Sequence, residues 1–393
     1  MVRVFCLMAL LMVACDPSDS SPSTQFGETG RADLEWEVRE AVRIGMAEGQ
    51  QEYMFNRIAD LTVDSDGDVY VLDQGDRVVR SYDASGSHRV TFGGHGGGPG
   101  EFEVPLGVAV SGDSVVVYDA LHQRLAIFDR SGGVIRTVPV ELSPLVHGFT
   151  QRLHRVGGHW AVVLATGCRL PRPDDPRPRW RLALLDEVGA VEVVADEADE
   201  GQLAVYAEGG CTSLSALARP TPSVAFDPDG LVYRGDGRRY EVEVFDLRSV
   251  AADPAALPVR VVGRQTVSRD VTPEEIRHYE QAWLQEERIQ ADPNRRMSVS
   301  AAWDSIGYPE RWPYFEELHV DRQQRLWVGR PSMPGGGRRD WDVFGPDGAY
   351  LGSVELPADF EVMEIVGPMI WGLSRDEFDL EYVVGLSVGP QVD

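Results

Sequence analysis

Residues Asp60–Asp73 read DLTVDSDGDVYVLD, two short runs rich in β-branched and aromatic residues joined by an Asp/Gly turn. RVVRSYDASG (77–86) and SHRVTFGG (87–94) follow at once and predict two more strands around a turn of the same chemistry. The unit then returns as GVAVSGDSVVVYD (107–119), RLAIFDRSG (124–132) and GVIRTVPV (133–140). Fainter copies are HRVGGHWAVVLAT with RWRLALLDEVG and AVEVVADE, then SVAFDPDGLVYRGD with YEVEVFDLRS and PVRVVGR. A fifth is ELHVDRQQRLWVGR with DWDVFGPDG and AYLGSVELP. A sixth, EIVGPMIWGLSRD with EYVVGLSVG, runs out of chain before a fourth strand.

Repeats beginning near Ile58, Pro105, Gln151, Thr221, Phe315 and Phe360 are spaced 47, 46, 70, 94 and 45 residues apart. Four antiparallel strands at that basic period mark a propeller blade, so the fold class is all-β, a six-bladed β-propeller. LEWEVREAVRIG (34–45) is strand-like and precedes the first repeat; it supplies the strand the last blade lacks and closes the ring. The propeller is expected over 34–390, with a helical insertion at 265–313 between blades four and five. There Thr272, Pro273 and Glu275 form a capping box, and Ile276, Tyr279 and Trp283 an apolar stripe expected to lie on the propeller, as a buttress or a lid.

The joint TFGGHGGGPGEFEVP (91–105) resembles the GxGxGPGEF joint of NHL-type and bacterial six-bladed propeller proteins. The resemblance implies the fold and hardly any activity, since propellers host binding modules and enzymes alike. Six-bladed enzymes similar to gluconolactonases and paraoxonases hold calcium through a glutamate, asparagines and an aspartate. Here Asn56 and Asn294 are the only asparagines, and neither sits in a comparable blade motif.

Arg3 is followed by VFCLMALLMVA (4–14), too short to span a bilayer as a helix but fitting a signal-peptide core. MVAC (12–15) resembles the lipobox of bacterial lipoproteins, with Met12 where leucine is usual. The expectation is a signal at 1–14, lipidation of Cys15 and a flexible tether over 15–33 that holds the chain at a bilayer in the bacterial envelope. An ordinary secretory signal is the alternative. Cys6 lies in the signal, which leaves Cys168 and Cys211 as a disulfide pair in an oxidising compartment, or as two buried thiols.

The 393 residues are 43% hydrophobic and carry 63 acidic against 37 basic side chains, a net charge of −26 that disfavours nucleic acid as a partner. Every basic residue is an arginine, which excludes a lysine nucleophile or Schiff base. No HExxH, CxxC or GxSxG occurs. Asp64, Asp66 and Asp68 lack the glycine and glutamate positions of an EF-hand, so calcium has no motif behind it and no cofactor is expected; a turn is the simpler reading. HGGGPGEF lacks the lysine, hydroxyl and helix of a phosphate cradle and reads as a structural joint.

Blade topology puts the b–c and d–a connections on one face, where the long segments fall, and the tight a–b and c–d turns on the other. Function is therefore expected on the elaborated face. Asp73, Asp119, Asp236, Arg330 and Asp376 end second strands around that mouth, with His122 close by and Trp283, Tyr308 and Trp312 as further loop candidates. As a ring they would take a cationic or polyhydroxylated ligand, a glycan or a metal; capping of loop amides is the alternative. Two functions stay open: a binding or scaffold module for a protein or small polar ligand, and a metal-dependent hydrolase or lyase with its site at the channel mouth.

Overall fold

The computed structural model describes residues 24–26, 36–140, 149–166, 179–198, 202–207, 210–215, 217–253, 255–285, 293–332 and 337–390. Two strands precede the repeats, β1 (Thr24–Phe26) and β2 (Trp36–Ile44). Blade one is β3 (Ile58–Val63), β4 (Val69–Asp73), β5 (Val78–Tyr82) and β6 (His88–Gly93). Blade two is β7 (Pro105–Ser111), β8 (Ser114–Asp119), β9 (Arg124–Asp129) and β10 (Val134–Pro139). Blade three is β11 (Phe149–Val156), β12 (His159–Thr166), β13 (Arg179–Leu185) and β14 (Val191–Ala198); a hairpin of β15 (Gln202–Ala207) and β16 (Gly210–Ser215) follows it. Blade four is β17 (Ser223–Phe226), β18 (Leu231–Gly235), β19 (Glu241–Asp246) and, after helix α1 (Leu247–Ala252), β20 (Arg260–Gly263). Helices α2 (Pro273–Gln285) and α3 (Pro293–Ile306) come before blade five: β21 (Glu317–Val320), β22 (Leu326–Gly329), β23 (Arg338–Phe344) and β24 (Tyr350–Pro357). Blade six is β25 (Glu361–Val366), β26 (Met369–Arg375) and β27 (Glu381–Pro390), with β2 as its outer strand.

The ring is a six-bladed β-propeller closed by its ends. β2 runs antiparallel to β27, Trp36 facing Pro390 and Ile44 facing Val383, so neither terminal blade keeps an open edge toward the other. The core is distributed between blades. Tyr70, Leu72 and Phe92 of blade one meet Phe102, Val115 and Phe128 on the blade-two side, and five further clusters repeat this around the circle. Phe102 comes from the glycine-rich joint. It is fully buried, 5.7 Å from the Phe128 ring, and a Cβ at Gly93 would collide with it.

One turn chemistry recurs. Asp64, Asp83, Asp129, Asp186 and Asp321 each accept the amides two and four residues on, at 2.8–3.0 Å. The residue three positions on has positive φ each time: Gly67, Gly86, Gly132, Gly189 and Gln324. That geometry explains the D-x-x-G pattern without a ligand.

Three local differences from the sequence reading have physical reasons. Within the stretch read as a flexible tether, β1 pairs in parallel with β20, Thr24 beside Val261 and Phe26 beside Gly263. An outer blade strand offers unpaired edge groups that a passing segment can satisfy. The connection between β19 and β20 is also not a tight turn, since Asp246 accepts the Arg248 amide and caps α1. Elaboration is thus not confined to one face. Finally, the stripe of α2 packs on Leu217, Ala218, Val299, Trp303 and Trp312 rather than on a blade, because α3 offers it an apolar partner. The capping box forms as the spacing requires: Glu275 accepts the Thr272 amide at 2.7 Å and donates its own amide to the Thr272 hydroxyl at 3.3 Å.

Candidate functional site

The residues at the ends of the second strands do not converge. Asp73 accepts the amides of Asn56 and Arg57 at 3.0 and 3.1 Å and pairs with buried Arg80 at 2.5 Å. Asp119 does the same one blade on, accepting the Glu103 and Val104 amides at 3.3 and 3.0 Å, with His122 Nδ1 at 2.6 Å. Each ties the segment leading into the innermost strand of its blade to the second strand. Asp236 accepts the Arg238 amide within its own loop, and Asp376 accepts those of Phe378 and Leu380 within its loop plus the hydroxyl of Tyr382 in β27. Arg330 lies against Asp342 at 2.7 Å and Asp340 at 3.3 Å. Trp312 is buried under the helical insertion, where its indole Nε1 donates to Glu275 at 3.4 Å, and Tyr308 donates to Glu280 at 2.9 Å. Cys15 and Cys168 lie outside the described residues, whereas the Cys211 backbone faces Tyr206 across the β15–β16 hairpin.

The same carbonyl and amide logic accounts for the joint. Arg124 donates to the carbonyls of Gly97, Gly98 and Glu101, and Glu101 accepts the Gly98 amide at 2.7 Å.

A different set of groups meets in the channel. The innermost strands of all six blades, β3, β7, β11, β17, β21 and β25, enclose a cavity of about 1350 Å³. Each innermost strand turns its free edge inward, so its unpaired amides and carbonyls need partners. Acids take the amides. Asp60 accepts Leu61 and, on the next blade, Val108, both at 2.9 Å; Glu364 accepts Val63 at 2.7 Å. Arginines take the carbonyls, Arg322 those of Val63 and Asp64. Arg152, at a β-bulge with φ of 47°, crosses from blade three to blade six and donates to Met363 O at 2.6 Å and Val362 O at 2.9 Å. It passes 3.9 Å from both Asp60 and Glu361. A non-glycine residue held at positive φ marks a conformation that the surroundings enforce.

Glu317, His319 and His154, on blades five and three, make none of these edge hydrogen bonds. Glu317 Oε1 lies 2.8 Å from His319 Nε2, and Glu317 Oε2 accepts Arg339 at 2.6 Å. His154 stacks on Phe226 with ring centroids 4.9 Å apart. Ser223 and Ala225 keep the blade-four wall short. Burial alone would raise the Glu317 carboxyl, but the His319 hydrogen bond and the charges of His319, Arg339 and Arg152 outweigh it and hold it at about 2. Burial pushes Asp60 up to about 7 against the pull of Arg152 and its two amides. It raises Glu364 as well, and drives His154 down to about 3 with help from Arg152 and His319. Among the described residues, no three His, Cys, Asp or Glu side chains come together as a set that could hold a metal ion. No helix among them is long and apolar enough to cross a membrane.

None of these channel residues was singled out from sequence. The available signal was polar residues inside short apolar strands, as in IADLTV, QRLHRV, ELHV and EVMEIV.

No protein-family profile matches the sequence, and no curated protein matches it either. Solved structures are similar to this one. A member of the DUF4221 family from Bacteroides vulgatus is 11% identical, with a TM-score of 0.53 over 91% of this chain and all of that one. Virginiamycin B lyase from Staphylococcus aureus is 9% identical, with a TM-score of 0.42 over 90% of this chain and 99% of that one. A calcium-binding regucalcin from Agrobacterium tumefaciens is 14% identical, with a TM-score of 0.43 over 90% and 98%. At 11% identity the likeness to the DUF4221 protein is one of fold.

Proposed function

We propose that the chain is an exported propeller, held in the bacterial envelope by lipid on Cys15, that binds a small cationic or polyhydroxylated ligand in its channel. The observation that carries the reading is the composition of the cavity wall. Among the described residues ten carboxylates and five guanidiniums line it, and Glu317 and His319 make none of the edge hydrogen bonds. An ionised carboxylate beside an imidazole offers acceptors and a donor to amines and hydroxyls. The test is thermal stabilisation of the chain from residue 34 onward by a panel of amines, amino sugars and polyols. The expected result is stabilisation by at least one compound, lost in Glu317→Gln. Stabilisation that survives in both Glu317→Gln and His319→Ala, or none from any compound, would remove the channel site.

One observation favours a second reading, a hydrolase or lyase. A carboxylate bonded to an imidazole is how a general base is oriented. In that reading His319 takes a proton from a bound substrate, and Glu317 positions the ring and stabilises its cation. The donors present do not assemble a metal site among the described residues, so no step is assigned to a metal. Turnover of any ester or lactone by the wild type, absent in His319→Ala, would decide for it.

A further inference from the structure

The register of β1 fixes where the anchor leaves the ring. Cys15 is nine residues before Thr24, so the chain between them reaches at most about 30 Å when fully extended. Were β1 unpaired, the leash would run from Cys15 to Trp36 and reach about 70 Å, enough for the propeller to turn freely below its anchor. Pairing with β20 more than halves it. The pairing is parallel, with Thr24 beside Val261, so the residues that lead back to Cys15 leave at the start of β20. At that end lies AALPV (255–259), in which Leu257 is 68% exposed and Val259 54% exposed. In a chain with 63 acidic residues, 254–269 contains none. Arg260 of this stretch reaches away, to Tyr233 at 3.1 Å and to the Pro346 carbonyl, so the rim itself presents apolar side chains. Exposed apolar side chains elsewhere, such as Val134 and Ile135, lie on blade two, not beside the strand that β1 pairs with.

We infer that the rim of blade four formed by Ala255–Val259 is a membrane-docking edge, seated on the leaflet that holds the acyl chains of Cys15. The inference rests on the lipid anchor proposed above. Short leash and apolar rim act together: tethering supplies a high local concentration of bilayer, and Leu257 and Val259 enter the headgroup–acyl boundary as the side chains of interfacial segments do. Docking there leaves the ring on its side, with both mouths of the channel open to the aqueous phase.

The experiment compares hydrogen–deuterium exchange of the lipidated full chain on phosphatidylethanolamine/phosphatidylglycerol vesicles with that of Cys15→Ser in solution. Exchange over 255–263 should slow several-fold on vesicles, while β6 (His88–Gly93), on the opposite blade, should not change. In Leu257→Asp/Val259→Asp the chain should still float with the vesicles and keep its melting temperature, but lose that protection. A chain that does not float overturns the anchor and the docking with it. A chain that floats while 255–263 exchanges as fast as in Cys15→Ser, or whose protection survives the double substitution, overturns the docking and leaves the anchor standing.

Discussion

Asp60 and His154 face the same channel but titrate against each other. Asp60 has a folded pKa of about 7, above the ordinary 3.8, so the folded state holds a proton that the unfolded chain has lost. Stability therefore falls as pH rises from about 4 to about 7, by a total on the order of 4 kcal/mol for this group alone. His154 has a folded pKa of about 3, below 6.5, so the unfolded chain binds the extra proton and stability rises with pH between those values. The two slopes oppose, and each single variant uncovers the other. Asp60→Asn should leave urea midpoints climbing from pH 4 to 6.5, and His154→Gln should leave them falling from pH 4 to 7. Equal pH profiles for the two variants would contradict the burial-driven assignments. Arg152→Ala belongs to the same scale. It strips two carbonyls of a charged donor and should cost about 2–3 kcal/mol in chemical unfolding. None of the three was legible beforehand. Asp60 answers an amide 48 residues away, and Glu364 one 301 residues away, pairings that local spacing does not carry.

At the scale of elements, legibility followed the turns. D-x-x-G marks a recurring bend because Asp accepts two amides and the third residue on takes positive φ, so the strands flanking Asp83–Gly86 or Asp129–Gly132 could be read directly. Elements without that chemistry were missed. The β15–β16 hairpin, with Ala207 facing Gly210, pairs with no blade among the described residues, and α1 begins where a fourth tight turn was expected. The closing strand was legible because the sixth repeat was one strand short. Ile44 of β2 is 1% exposed in the core between blades one and six, so Ile44→Ala should cost about 2–4 kcal/mol. Removing 34–45 should lower the melting temperature much further, and an unchanged value would deny β2 its part in the ring. For the hairpin, the proposed Cys168–Cys211 bond predicts no alkylation of the purified native protein by iodoacetamide before reduction, and two added groups on these cysteines after it.

For the molecule as a whole, the prediction is one of address. Cys15→Ser should move the protein from the membrane fraction to the soluble one, and retention in the membrane would remove the lipid anchor. Charge and repeats could be read because each is a property of the linear chain. The channel could not, because it exists only once six strands far apart in sequence face one another. Closure by β2 and β27 has a consequence in time as well as in space. Arg39 and Ser387, bonded across the last blade at 3.2 Å, are 348 residues apart. β2, made early, must wait for β27, made last of the blade strands, and until then the ring is an arc whose two end blades are not joined. In the proposed export, the chain threaded through a translocon has to stay unlatched until β27 arrives, since β27 is half of the latch.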